Sequence, residues 1–90
     1  DYKEAVKWHR KSAEQGYALA QWALGLEYAI GQGFLQDDVY AHMWLNIAAS
    51  NGFDAAVTNR DIVAKKMTTE QLAEAQKLAR ECVKKNYKGC

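Results

Sequence analysis

Apolar residues along this chain recur at helical rather than strand spacing. Ala5, Trp8, Ser12 and Ala13 mark one face of a first segment, and Ala20, Ala23, Leu24, Tyr28 and Ile30 mark a second over about 18–30. Steps of three and four residues place side chains on one side of an α-helix. Ala41, Trp44, Leu45 and Ala48 define a third helix to about Asn51, and Ala56, Val57, Ile62 and Val63 a fourth over about 54–66. Leu72, Ala75, Leu78, Ala79, Cys82 and Val83 define a fifth, to about Lys85. Sustained alternation and proline are both absent, so no strands are expected. The punctuation agrees with five helices. Asp1 with Glu4 and Thr68 with Gln71 have the form of capping boxes, Asp37 or Asp38 stands at the start of the third helix, and Gly16, Gly31 and Gly52 stop the first three. Residues 31–37 form a loop whose Phe34 and Leu35 are expected to tuck back onto the helices.

The pattern also repeats. Shifted by 36 positions, Asp1 meets Asp37, Ala5 meets Ala41, Trp8 meets Trp44, Ala13 meets Ala49, Gly16 meets Gly52 and Ala20 meets Ala56, with Tyr17 opposite Phe53. A fixed period of this size is the mark of stacked repeats, because a short helical hairpin cannot bury its apolar face alone.

Ala20, Leu24, Gly25, Tyr28, Gly31, Gly33, Asp37, Ala41, Trp44, Ala48, Ala49 and Gly52 stand in the order A-x-x-x-LG-x-x-Y, G-x-G-x-x-x-D, A-x-x-W-x-x-x-AA-x-x-G. In this the chain resembles the Sel-one-like repeat family, a relative of the tetratricopeptide repeats. The resemblance implies an all-α, right-handed α-α superhelix of about five helices in a single domain. Residues 18–52 form one complete repeat, and 1–16 match the second helix of a preceding, truncated one. Residues 54–67 form a degenerate first helix, with Arg60 and Asp61 where Leu24 and Gly25 lie one period earlier, and 69–86 a C-terminal capping helix. It further implies that Gly25 and Ala41 face each other where two helices cross, while Trp44 and Trp8 fill the space between successive units. The implied function is protein–protein interaction, with a protein or peptide bound on a solenoid surface. In the tetratricopeptide-like register Trp22 and Leu26 line the inner curve, with Thr58, Asn59 and Lys65 at matching places on the following helix. These five are the expected partner-binding residues. Trp22 also suits a packed, structural position.

Charge narrows the partners. Twelve basic and eleven acidic side chains leave a formal charge of +1, no footprint for nucleic acid, and Lys84, Lys85 and Lys88 suit a helix C-terminus. No apolar run approaches the roughly 20 residues of a membrane span. The chain starts without Met inside a helix, which suggests a processed or excised piece with an upstream helix missing; Tyr2, Val6 or Trp8 would then be left open for self-association.

Candidate chemistry is sparse. His9 and His42, 33 apart on equivalent-looking surface helices, lack the Cys or paired carboxylates a metal site needs. No cofactor, metal or catalytic residue is expected. Asp37 and Asp38 serve as caps, and Gln32 between two glycines belongs to a helix stop, not a phosphate loop. The alternative function, a bacterial cell-wall-associated enzyme or ligand-binding protein, would need a nucleophile–base pair that the sequence does not suggest. Tyr87 and Lys88 suit a polar tail. Cys82 and Cys90 can be bridged if the chain turns back through Asn86, Tyr87 and Gly89; the other reading is a packed Cys82 and a free Cys90. A bridge would favour a periplasmic or secreted protein.

Overall fold

The computed structural model describes residues 1–32 and 35–90. Five helices and no strands occur among them: α1 (Tyr2–Glu14), α2 (Ala18–Ile30), α3 (Asp38–Ser50), α4 (Ala55–Ala64) and α5 (Thr69–Lys84). Gly33 and Phe34, and with them the expected tucking of Phe34, lie outside the described residues; Leu35 is exposed and does not tuck in.

Local chemistry accounts for the helix ends. The Asp37 carboxylate accepts the Tyr40 amide, and Thr68 with Gln71 forms a reciprocal capping box. Asp1 caps more simply, accepting the Lys3 amide, while Glu4 turns to Lys7 at 3.9 Å instead of closing a box. Four helices stop in the same way. Gly16, Gly31, Gly52 and Asn86 each take a left-handed conformation. The next residue, Tyr17, Gln32, Phe53 or Tyr87, donates its amide to the carbonyl five positions back, on Ser12, Glu27, Ala48 or Cys82. This is the Schellman arrangement, which supplies donors to carbonyls the helix leaves unpaired. Tyr87 is left-handed as well, the one described residue besides Asn86 that is so without being glycine.

Helix α3 is the centre. It packs against α2, α4 and α5, while α1 packs on α2. Met43, Trp44 and Ile47 point into one cluster with Val6, Ala13, Ala20, Leu24, Ala79 and Cys82. Ala41, Leu45 and Ala48 point into another with Ala56 and Val63. A helix with neighbours on several sides is apolar nearly all round, which is why residues 41–45 are buried without a break.

Gly25 sits where α2 meets α3. A Cβ there would lie 2.8 Å from Leu45 Cγ and 3.2 Å from the Leu45 backbone nitrogen, closer than carbon atoms pack. The atoms nearest Gly25 therefore belong to Leu45, one turn beyond Ala41, which the resemblance places at this crossing. Helix α4 meets α3 through Ala56 and Val63; Val57 and Ile62, expected on that face, turn off it into solvent. Arg60 bridges the two helices by donating to the Asn46 side-chain oxygen at 3.0 Å.

The two repeat-related tryptophans part company. Trp44 is fully buried, but Trp8 is 66% exposed, with the Lys11 ammonium 5.7 Å from its ring centre. Trp8 therefore fills no space between units here, because none of the described residues covers its side of α1. Val6, expected among the open residues, is covered, whereas Tyr2 is open.

The end of the chain is not a loose tail. Cys82 and Cys90 are joined by a disulfide with Cα atoms 5.7 Å apart. The Tyr87 ring packs against the first core cluster, and the Lys88 ammonium donates to the Glu14 carbonyl at 2.8 Å, so this lysine serves α1 rather than its own helix.

Candidate functional site

The expected contact residues fall on two helices that touch along one edge. Trp22 and Leu26 occupy one side of α2, a single turn apart, and both rest on the second core cluster with part of their surface open. The Trp22 indole N–H donates to the Asn59 side-chain oxygen at 2.8 Å, a bond spanning 37 residues. Phe53 lies against the same ring, with centroids 4.9 Å apart and planes inclined by 32°. The indole is thus held by a polar tip and an aromatic wall. Thr58 on α4 and Lys65, the residue that caps the end of α4, are exposed to solvent. The structure brings Trp22 and Asn59 into direct contact; Thr58 shares the helix of Asn59 and Lys65 caps its C-terminal end, with no hydrogen bond from either to the indole among the described residues.

Periodicity alone does not reveal what surrounds them. Leu19 and Ile30 are exposed at either end of α2, and with Trp22 and Leu26 they follow one another at steps of three, four and four, forming one stripe. Ile62 is exposed on α4. Of Leu19, Ile30 and Ile62, only Leu19 is left over in the sequence once the apolar faces are assigned; spacing places Ile30 and Ile62 on the faces that pack, and the structure turns both into solvent.

The histidines take different roles from those their spacing suggests. His9 Nδ1 lies 2.6 Å from the Glu27 carboxylate, so it does have an acidic partner, and Arg10 beside it donates to the Tyr28 hydroxyl at 2.8 Å. Tyr28 stacks on Tyr40 at 5.5 Å. Together these groups lock α1 to α2 and link α2 to α3. His42 is not on the surface at all: it is 4% exposed, and its Nδ1 makes no hydrogen bond among the described residues. Burial holds its pKa below the ordinary 6.5, the Arg60 cation pushes the same way, and Asp61 opposes both.

Among the described residues no three His, Cys, Asp or Glu side chains gather as a metal would require, and no helix is long and apolar enough to cross a membrane. A concavity of about 540 Å³ lies apart from the α2–α4 face, between α3 and α5, and is wide open. Its lining includes Ile47, Ser50, Ala79, Arg80, Val83 and Lys84, and the Ser50 hydroxyl donates to the Ile47 carbonyl at 2.8 Å.

Short helices stacked around a central one, each packed mainly on its neighbours, define a helical repeat solenoid. The Sel1 repeat pattern matches residues 1–17 and 18–53, more than half of the chain, and the protein belongs to the Sel1 repeat family. The crystal structure of c5321, described as a protective antigen of uropathogenic Escherichia coli strains displaying an SLR fold, superimposes with a TM-score of 0.89 at 35% identity. That match covers 97% of this chain and 20% of the other. Chitin synthase regulatory factor 3 of Schizosaccharomyces pombe is 32% identical over 88 residues, 98% of this chain and 9% of that protein. The uncharacterized protein NMB1327 of Neisseria meningitidis serogroup B is 43% identical over 58 residues, 64% of this chain and 12% of its own length. The chain thus spans about a tenth of the curated relatives it matches. The Sel1 repeat is generally a non-catalytic, protein-interaction fold.

Proposed function

We propose that the face shared by α2 and α4 binds a protein or peptide segment, with Trp22 and Leu26 as its apolar centre, Asn59 as the group that orients Trp22, and Thr58 and Lys65 as its polar edge. One observation carries this reading: the Trp22 indole is fixed by Asn59 and Phe53 while part of it stays open to solvent. A rigid aromatic ring loses little freedom on binding, and tryptophan is enriched among residues that dominate interface energies. Leu19, Ile30 and Ile62 extend the open apolar surface around it. A relative named as a regulatory factor of an enzyme is consistent with a module that works by contact with another protein. The protein is, in this reading, a scaffold or adaptor element and not a catalyst.

Affinity capture with the longest natural chain, followed by titration of the recovered partner, tests the assignment. Trp22→Ala should weaken binding by about tenfold or more while circular dichroism stays unchanged, and Lys65→Glu should weaken it less. A partner that binds the Trp22→Ala, Lys65→Glu double variant as tightly as the wild type would place the interface elsewhere. The open Tyr2 and Trp8 on α1 support an accompanying proposal, self-association through that helix. Sedimentation should then show dimers that Trp8→Glu abolishes, and a wild-type monomer at high concentration would refute it.

A further inference from the structure

The disulfide ring at the end of α5 reaches much further through the molecule than its eight-residue separation suggests. Its Tyr87 ring lies over the turn between α1 and α2, so close that a Cβ on Gly16 would sit 3.3 Å from Tyr87 Cε2. The Tyr87 hydroxyl meets the Asn51 side chain, at 3.3 Å from the amide nitrogen and 3.5 Å from the oxygen. Asn51 in turn donates to the Gln21 side-chain oxygen at 2.9 Å, and the buried Gln21 donates to the Ala13 carbonyl at 3.1 Å. Lys88 adds its bond to the Glu14 carbonyl, between residues 74 apart in sequence. One short ring therefore joins the C-terminal ends of α1, α3 and α5, although α5 packs chiefly on α3.

Two features say what keeps the ring in place. Asn86 and Tyr87 are consecutive residues with φ of 54° and 67°, a conformation that an unrestrained tyrosine leaves readily. Asn86 is accounted for by the helix stop it forms; Tyr87 is not. The two sulfurs are also unequally placed, with Cys82 buried in the first core cluster and Cys90 at its partly open edge. The bond thus anchors an otherwise unfavourable turn to the core at one end and is open to attack at the other.

We infer that the Cys82–Cys90 disulfide is a thiol-sensitive clasp: closed, it holds Tyr87 and Lys88 against the α1–α2 turn, and opened by a dithiol, it releases that turn and loosens α1 while α2 and α3 stay folded. The opening is ordinary thiol–disulfide exchange. A thiolate of the dithiol attacks Cys90 Sγ, the bond to Cys82 Sγ breaks, and Cys82 leaves as a thiolate that takes up a proton. The dithiol's second sulfur then displaces Cys90, which is protonated likewise. Two electrons and two protons pass to the cysteines, and the dithiol becomes a disulfide.

Hydrogen exchange read by mass spectrometry tests the clasp, comparing the oxidised chain with the chain reduced by dithiothreitol. The Gly16 and Tyr17 amides, which bond to the Ala13 and Ser12 carbonyls, are the reporters. Reduction should speed their exchange about tenfold or more, along with the C-terminal half of α1, and leave the centre of α3 unchanged. Cys90→Ser, which spares the buried Cys82, should reproduce this without reductant. Tyr87→Ala should do so for the turn alone while the disulfide stays closed. Unchanged exchange at Gly16 and Tyr17 after reduction would overturn the inference. So would equal loss of protection in every helix, which would make the bond a global staple, or a native chain whose two thiols alkylate freely.

Discussion

Helices α1 and α3 carry the same pattern one period apart and live in opposite surroundings. Ala5 corresponds to Ala41, Val6 to His42, Trp8 to Trp44 and Gly16 to Gly52. Helix α3 has neighbours on several sides, whereas α1 packs chiefly on α2, adds Val6 and Ala13 to the first core cluster, and is met at its end by the C-terminal ring. One tryptophan is consequently a core residue and the other a surface residue. A repeat motif specifies which side chains are offered for packing, and the neighbours decide which offers are taken up.

The sharpest break in this comparison is a pair of truncations. Trp44→Ala should destabilise the protein by about 3–5 kcal/mol, and Trp8→Ala by less than about 1 kcal/mol, measured by urea unfolding of both variants. Equal losses would mean that α1 is as well covered as α3.

Crowding at the α2–α3 crossing gives the next effect. Gly25→Leu should cost about 1–3 kcal/mol or more, although leucine is the better helix former by about 0.8 kcal/mol, because its first carbon already overlaps Leu45. A variant that melts at or above the wild-type temperature would remove Gly25 from the crossing.

A third test exchanges one helix's residue for the other's. His42 has its pKa depressed in the folded state, so the unfolded chain takes up the proton first as pH falls. Its contribution to stability is complete above about pH 6.5 and is lost as pH drops below that value toward the folded pKa. His42→Val, which copies Val6 into α3, should flatten the stability profile between about pH 7 and 5; an unaltered slope would assign the pH dependence to other groups.

The smallest effect compares the two helix stops. Gly16 and Gly52 have φ of 92° and 94°, so alanine at either costs about 1 kcal/mol in backbone terms. A Cβ at Gly52 meets nothing within 4 Å, while one at Gly16 meets Tyr87. Gly16→Ala should therefore be the worse of the two by a few tenths of a kcal/mol, and reduction of the disulfide should erase the difference.

Much was legible in the chain by itself. The five helices, the caps at Asp37 and Thr68, the stops at Gly16, Gly31 and Gly52, and the small residue at 25 all follow from interactions within a few residues or from a period written twice. Backbone geometry and capping chemistry act locally, so sequence carries them directly. Which tryptophan is buried, that His42 lies inside, that Leu45 supplies the atoms nearest Gly25, and that Trp22 finds Asn59 while Tyr87 finds Gly16 and Asn51 were decided only by the tertiary structure. Each of those outcomes depends on how many helices surround a given face and on how each is rotated about its axis. Rotation by one residue, about 100°, moves a side chain from a neighbour to solvent without altering the period that announces the helix.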